Sequence, residues 1–146
     1  MLIAFALALG VRGTADAMAQ AFSLSGLEGG SLSETDLGKG NTVVVLWASW
    51  SPRGRNVAER VNSLAQQTGK RATVVAVNYQ EDRATAKQFV ASSPFSVPVY
   101  LDAEGALAKK FKLASLPGLL VIKNGAVAYQ GRLPDDLQKV VDDALN

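Results

Sequence analysis

Apolar positions along this chain keep two distinct periods. Val43, Val44, Val45 and Leu46 form an unbroken apolar run, the pattern of a strand covered on both faces. Residues 72–79 (ATVVAVNY) repeat that pattern. Between the two runs the spacing changes to three and four: Val57, Val61, Leu64 and Ala65 make one buried stripe on a helix from Pro52 to about Gln67. Gly69 stands where that helix should end. Strand, helix and strand in this order predict a parallel pair. A second helix is predicted over 82–92, with Ala84, Phe89 and Val90 inward. A brief extended segment follows at 97–101, then an amphipathic turn or two over 105–112 with Leu107 and Phe111 on one side. Leu119 to Lys123 reads as a strand, Asn124-Gly125 as a type I′ turn, and Ala126 to Gln130 as its antiparallel return. The last helix, over 134–146, should bury Leu137, Val140, Val141 and Leu145. Ahead of all these, residues 22–40 alternate apolar and polar around Gly29-Gly30, as in a hairpin that leads into a helical turn.

The junction after the first buried run, Trp47-Ala48-Ser49-Trp50-Ser51-Pro52-Arg53-Gly54, carries the most information. Ser51 stands where an N-cap would stand and Pro52 at the first helical position, a pairing that favours helix initiation. The junction therefore lies at the carboxyl end of a central strand and the amino end of a helix, where open α/β sheets keep their sites. It resembles the active-site segment of thioredoxin-fold proteins, in particular the periplasmic TlpA/ResA-like thiol-disulfide oxidoreductases of the redoxin family. Their pattern is an apolar strand, Trp-Ala-x-Trp-Cys-x-x-Cys and a helix. Here Ser51 occupies the first cysteine position and Gly54 the second.

The resemblance extends over roughly residues 22–146. Leu116-Pro117-Gly118 before a strand and hairpin, then Gly131 and a final helix, matches the second half of that fold. It implies a cis peptide bond at Leu116–Pro117 facing Ser51, and Asp102-Ala103-Glu104-Gly105 matches the family's Asp-x-x-Gly turn. The expected architecture is α/β and thioredoxin-like: a central mixed β-sheet flanked by helices on both faces, with an N-terminal β-hairpin.

Composition removes the family's chemistry. The 146 residues contain no cysteine and no histidine, so disulfide exchange has no thiolate and the commonest general base is missing. A net charge of +2, without a basic stripe interleaved with aromatics, gives no reason to expect nucleic acid as a partner. No cofactor or metal is expected; Asp135-Asp136 and Asp142-Asp143 lack the spread of a metal site. Lys109, Lys110 and Lys112 read as a solvated face.

The first residues form a separate question. Leu2 to Gly10 is too short to span a bilayer as an ordinary helix and fits the apolar core of a secretory signal. Ala17-Met18-Ala19 or Ala19-Gln20-Ala21 would serve as the cleavage site, although no Lys or Arg precedes the run. Residues 1–21 are thus read as a signal peptide or an N-terminal apolar anchor, and 22–146 as one thioredoxin-like domain. A periplasmic or other extracytoplasmic location follows, with membrane association through residues 2–11 left open.

Each candidate site residue has a plain structural reading beside a functional one. Ser51 is read as a helix cap; the functional alternative is a hydroxyl that stabilises a bound thiolate, as some glutathione transferases of this fold do. Arg53 and Arg55, in a first helical turn, oppose the macrodipole, with Glu59 offsetting part of the cost. Functionally they offer a docking point for an anionic group. Trp47 reads as core. Trp50 beside Pro117 reads as an exposed hot spot, and Leu116 occupies the position whose backbone holds substrate in the family. With Pro52 these residues define the expected partner surface. The expected function is a redox-inactive accessory subunit in an exported or envelope complex, binding a protein partner through the former active-site groove or another face. The alternative is a glutathione- or thiol-binding protein or transferase.

Overall fold

The structure, a computed structural model, describes residues 21–146. The expectations for a signal peptide or anchor over 1–21 therefore fall, except for Ala21, outside the described residues.

β3 (Thr42–Trp47) is buried at every position, as its apolar run predicts. It pairs in parallel with β4 (Thr73–Tyr79) and antiparallel with β6 (Gly118–Lys123). β4 continues in parallel to β5 (Val99–Asp102), which meets β1 (Ser23–Gly26) antiparallel; β1 turns into β2 (Ser31–Ser33). On the other side β6 returns through Asn124-Gly125, both at positive φ, into β7 (Ala126–Arg132). The result is one mixed seven-stranded sheet in the order β2-β1-β5-β4-β3-β6-β7. The fold is thioredoxin-like, with the N-terminal hairpin forming one edge.

Alternation along β3 sends side chains to two separate cores. Val43, Val45 and Trp47 pack with Val57, Val61 and Leu64 of α2 (Val57–Thr68), Ala86 of α3 (Arg83–Ser92), and Leu137 and Val141 of α5 (Leu137–Leu145). Val44 and Leu46 pack on the opposite face with Leu37 of α1 (Glu34–Leu37), Leu107 of α4 (Ala106–Lys110), and Phe22 and Leu24. Trp47 is fully buried, its ring 4.6 Å from that of Phe89 and 5.2 Å from that of Phe95.

Several expectations need correction. The helix predicted from Pro52 divides into a 3₁₀ turn (Pro52–Gly54) and α2, which starts only at Val57. Gly54 is a poor helix former, and Asn56 at φ −109, ψ 23 breaks helical geometry between the two pieces. Arg53 and Arg55 therefore precede α2 rather than opposing its dipole from within. Glu59 is the acidic residue of the first turn, where its charge is favourable. Arg55 and Glu59 form no ion pair, because Arg55 lies before the helix whose surface would bring the two together. Ala84 is exposed and Ala86 is buried in its stead, since Ala86 lies three and four residues before Phe89 and Val90. The last helix begins at Leu137 rather than Pro134, capped by Asp136, whose carboxylate accepts from the Lys139 N–H at 3.2 Å. The lysine face is not wholly solvated: Lys110 pairs with Glu34 at 3.0 Å.

Three aspartates at the surface, Asp36, Asp82 and the half-buried Asp142, hold local contacts. Backbone N–H donation from Ser33 holds the Asp36 carboxyl below its ordinary pKa, donation from Thr85 does so for Asp82, and the Arg71 guanidinium does so for Asp142. Depressed carboxyls contribute stability above their unfolded pKa and lose it as pH falls through the folded value. The urea midpoint should therefore hold from neutrality down to the ordinary aspartate range and fall below it. Asp82→Asn, which keeps an N-cap but cannot titrate, should flatten that acid limb. An acid limb identical in the variant would contradict the assignment.

Candidate functional site

Four chain segments meet at the carboxyl end of β3. Trp47 ends the strand, and the chain turns through Ala48 to Ser51, where the Ser51 N–H donates to the Ala48 carbonyl at 3.3 Å. Gly54 then closes the 3₁₀ turn by donating to the Ser51 carbonyl at 3.0 Å. Opposite stands the Leu116–Pro117 loop, whose peptide bond is cis as the resemblance implied. The loop is pinned to the end of β7 by the Leu133 N–H, which donates to the Pro117 carbonyl at 3.0 Å.

Ser51 is not the cap it was expected to be. It makes no side-chain capping bond; its hydroxyl donates instead to the Leu116 carbonyl at 3.1 Å, and the residue is 6% exposed. Within the 3₁₀ turn the Gly54 N–H is met by the Ser51 carbonyl, and the Ser51 hydroxyl reaches across to the opposite loop instead. Gly54 is buried against the same loop. A Cβ added there would lie 3.7 Å from Ser51 Cβ and 3.8 Å from Pro117 Cγ, both ordinary contacts. Its φ is not positive, so the backbone does not require glycine at this position.

A residue that sequence reasoning missed supports the turn from beneath. Glu81 follows β4, and its carboxylate accepts from the Ser49 N–H at 2.7 Å, from the Ser49 hydroxyl, and from the Asn78 amide at 2.9 Å. The exits of the two parallel strands are thereby tied together. The available signal was its place just past the carboxyl end of the neighbouring parallel strand.

The expected partner residues do not all share one surface. Trp50 is 64% exposed, the most exposed large apolar side chain among the described residues, and Pro52 and Arg53 are exposed beside it. Leu116 is half-buried and Pro117 buried. Arg53, Leu116 and Pro117 line one open cleft of about 610 Å³, together with Arg60, Arg132 and Asp135. Arg60 and Arg132 were not among the sequence candidates. They enter from α2 and from the end of β7, which only the tertiary fold brings together. Arg55 lies apart, in a separate hollow with Ser93 and Pro94. Ser51, Gly54, Arg53, Leu116 and Pro117 thus form the site, Trp50 and Pro52 flank it, and Arg55 faces elsewhere.

Comparison with known proteins agrees with this geometry. The family model described as Redoxin matches residues 13–145. The chain is 33% identical over 116 residues to the thiol:disulfide interchange protein DsbE of Yersinia pestis, an alignment that covers 75% of this chain and 60% of that protein. It therefore spans about 60% of that relative's length. Among solved structures, a thiol:disulfide interchange protein DsbE from Chlorobium tepidum superposes with a TM-score of 0.74 at 26% identity, covering 86% of this chain and 94% of that one. The dsbF of MTB, solved in mixed oxidized and reduced forms, gives a TM-score of 0.71 at 26% identity, with 84% and 94% covered.

The Cβ separation between positions 51 and 54 falls inside the range that a disulfide requires, about 3.5–4.5 Å. The double variant Ser51→Cys/Gly54→Cys should therefore close an intramolecular disulfide under mild oxidation, read as loss of titratable thiols in a monomer. Free thiols after oxidation, or disulfide-linked oligomers alone, would contradict the geometry.

Proposed function

We propose that this chain, which belongs to the redoxin family, is a redox-inactive accessory or scaffold subunit that holds a protein partner through the former active-site groove. Relatives bear names of thiol:disulfide interchange proteins. Serine and glycine at positions 51 and 54, in a chain with no cysteine, offer no thiolate for that exchange.

The observation that carries the proposal is the Ser51–Leu116 hydrogen bond, which keeps the groove built where its chemistry is gone. A hydroxyl spent on the Leu116 carbonyl fixes the cis-proline loop against the turn. Trp50, the residue before Ser51, carries a large amphipathic ring that is 64% exposed. Aromatic side chains that become buried on binding dominate the energy of interfaces. The thiol-binding alternative gains nothing from the same bond: Ser51 presents its hydroxyl to the protein's own backbone and is almost fully buried.

The apolar run at 2–10 and the small residues after it support an exported or envelope location. No helix of the described residues is long and apolar enough to cross a membrane.

Affinity capture of the tagged protein from detergent-solubilised native envelope, with partners identified by mass spectrometry, tests the reading. It should recover a stoichiometric partner that is lost on Trp50→Ala and on Leu116→Asp. Truncating a central aromatic anchor should cost at least about 2 kcal/mol of binding. A partner indifferent to both changes would move the interface off the groove, and recovery of the protein alone would remove the subunit reading.

A further inference from the structure

The cleft beside Leu116 and Pro117 is basic in a way the chain as a whole is not. Three guanidiniums line it, each from a different element: Arg53 from the 3₁₀ turn, Arg60 from α2 and Arg132 from the end of β7. One carboxylate, that of Asp135, shares the cleft. The ion pairs among the described residues are Arg71–Asp142, Lys110–Glu34 and Lys139–Asp143, so none of the four cleft groups is neutralised by a pair. Arg60 is committed to structure, because its guanidinium donates to the backbone carbonyls of Pro134 and Asp135. Arg53 and Arg132 are exposed, and among the described residues neither guanidinium is in an ion pair.

We propose that this cleft receives an extended acidic segment of the protein partner, with side-chain carboxylates seated on Arg53 and Arg132. The inference rests on the groove reading above and names the chemistry of its occupant. Charge complementarity gives the sign: paired N–H donors on a planar guanidinium match a carboxylate in two-point geometry. Size argues for a peptide. The open cleft offers about 610 Å³, far more than one small anion fills when a water takes about 30 Å³. Continuity points the same way. Leu116, in the cleft wall, accepts the hydrogen bond of Ser51, and Trp50 is the next residue back along the chain. An extended segment can therefore lay carboxylates in the cleft while an apolar residue covers the exposed indole. The basic cleft would supply steering and register, and the indole the anchor.

The test uses defined probes on the purified full chain, by fluorescence anisotropy at low and moderate salt. The probes are a short Glu-rich peptide flanked by leucine, the same peptide with Gln for Glu, reduced glutathione, and vesicles of anionic phospholipid. The Glu-rich peptide should bind and its Gln counterpart should not, with binding weakened by salt. Arg53→Gln and Arg132→Gln should each weaken it by roughly tenfold, and the Lys variants should restore part of the loss. Both residues are exposed, so circular dichroism and the urea midpoint should stay at wild-type values. Equal binding of the two peptides, or arginine variants that bind like wild type, overturns the inference. So does binding of glutathione alone or of vesicles alone. Failure here is distinguishable from failure of the subunit reading. A captured partner that depends on Trp50 but ignores Arg53→Gln and Arg132→Gln removes the acidic segment and keeps the groove. Peptide binding through the arginines, with nothing captured, keeps the cleft and removes the subunit.

Discussion

A strand with every residue buried leaves the chain nowhere to put a polar group except at its ends, and β3 is such a strand. Its neighbours β4 and β6 satisfy its backbone on both sides, and its side chains feed both cores. The first backbone free to face solvent comes just past Trp47, at the carboxyl end of the sheet. Everything placed there must be closed by local means. A 3₁₀ turn, the Glu81 carboxylate beneath it and the proline loop opposite supply that closure. The geometry of the site therefore follows from the burial of β3 and does not need the chemistry found in relatives.

This accounts for a groove that persists without thiols. Ser51 is close in size to the residue its position carries in the family pattern, and its hydroxyl gains a partner in the Leu116 carbonyl. A hydrogen bond of this kind contributes about 1 kcal/mol net, enough to favour one arrangement of the two loops. Gly54 leaves the second position empty without strain, since a side chain there would meet only ordinary contacts. The turn and the cis-proline loop thus keep their arrangement in a chain without cysteine.

The fold was largely legible because period and order agree. The unbroken run at 43–46, the three-and-four spacing of 57–65, the Asn124-Gly125 turn and the Leu116-Pro117 loop each appear where the sequence places them. Boundaries were less legible. Pro52 and Ser51 signal a helix start that Gly54 and Asn56 interrupt, so α2 begins five residues later, at Val57. The site was legible in its centre and not at its margins. Trp50, Ser51, Leu116 and Pro117 belong to contiguous motifs. Arg60 and Arg132 reach the cleft from distant segments, and Arg55 lines a different hollow from Arg53. Local pattern carries no information about either outcome. Glu81 lay in plain view, but as a single carboxylate after a strand it had no partner until Ser49 and Asn78 were placed beside it.

The central claim is that the partner lies over the Trp50 face, and contact mapping in the native envelope tests it most directly. A photoreactive amino acid would replace Trp50 in one variant and Val127 in another. Val127 is the other exposed large apolar residue among those described, on the edge strand β7. Irradiation should join the partner to position 50 and not to position 127. Adducts from position 127 with none from position 50 would place the partner on the sheet edge and contradict the account.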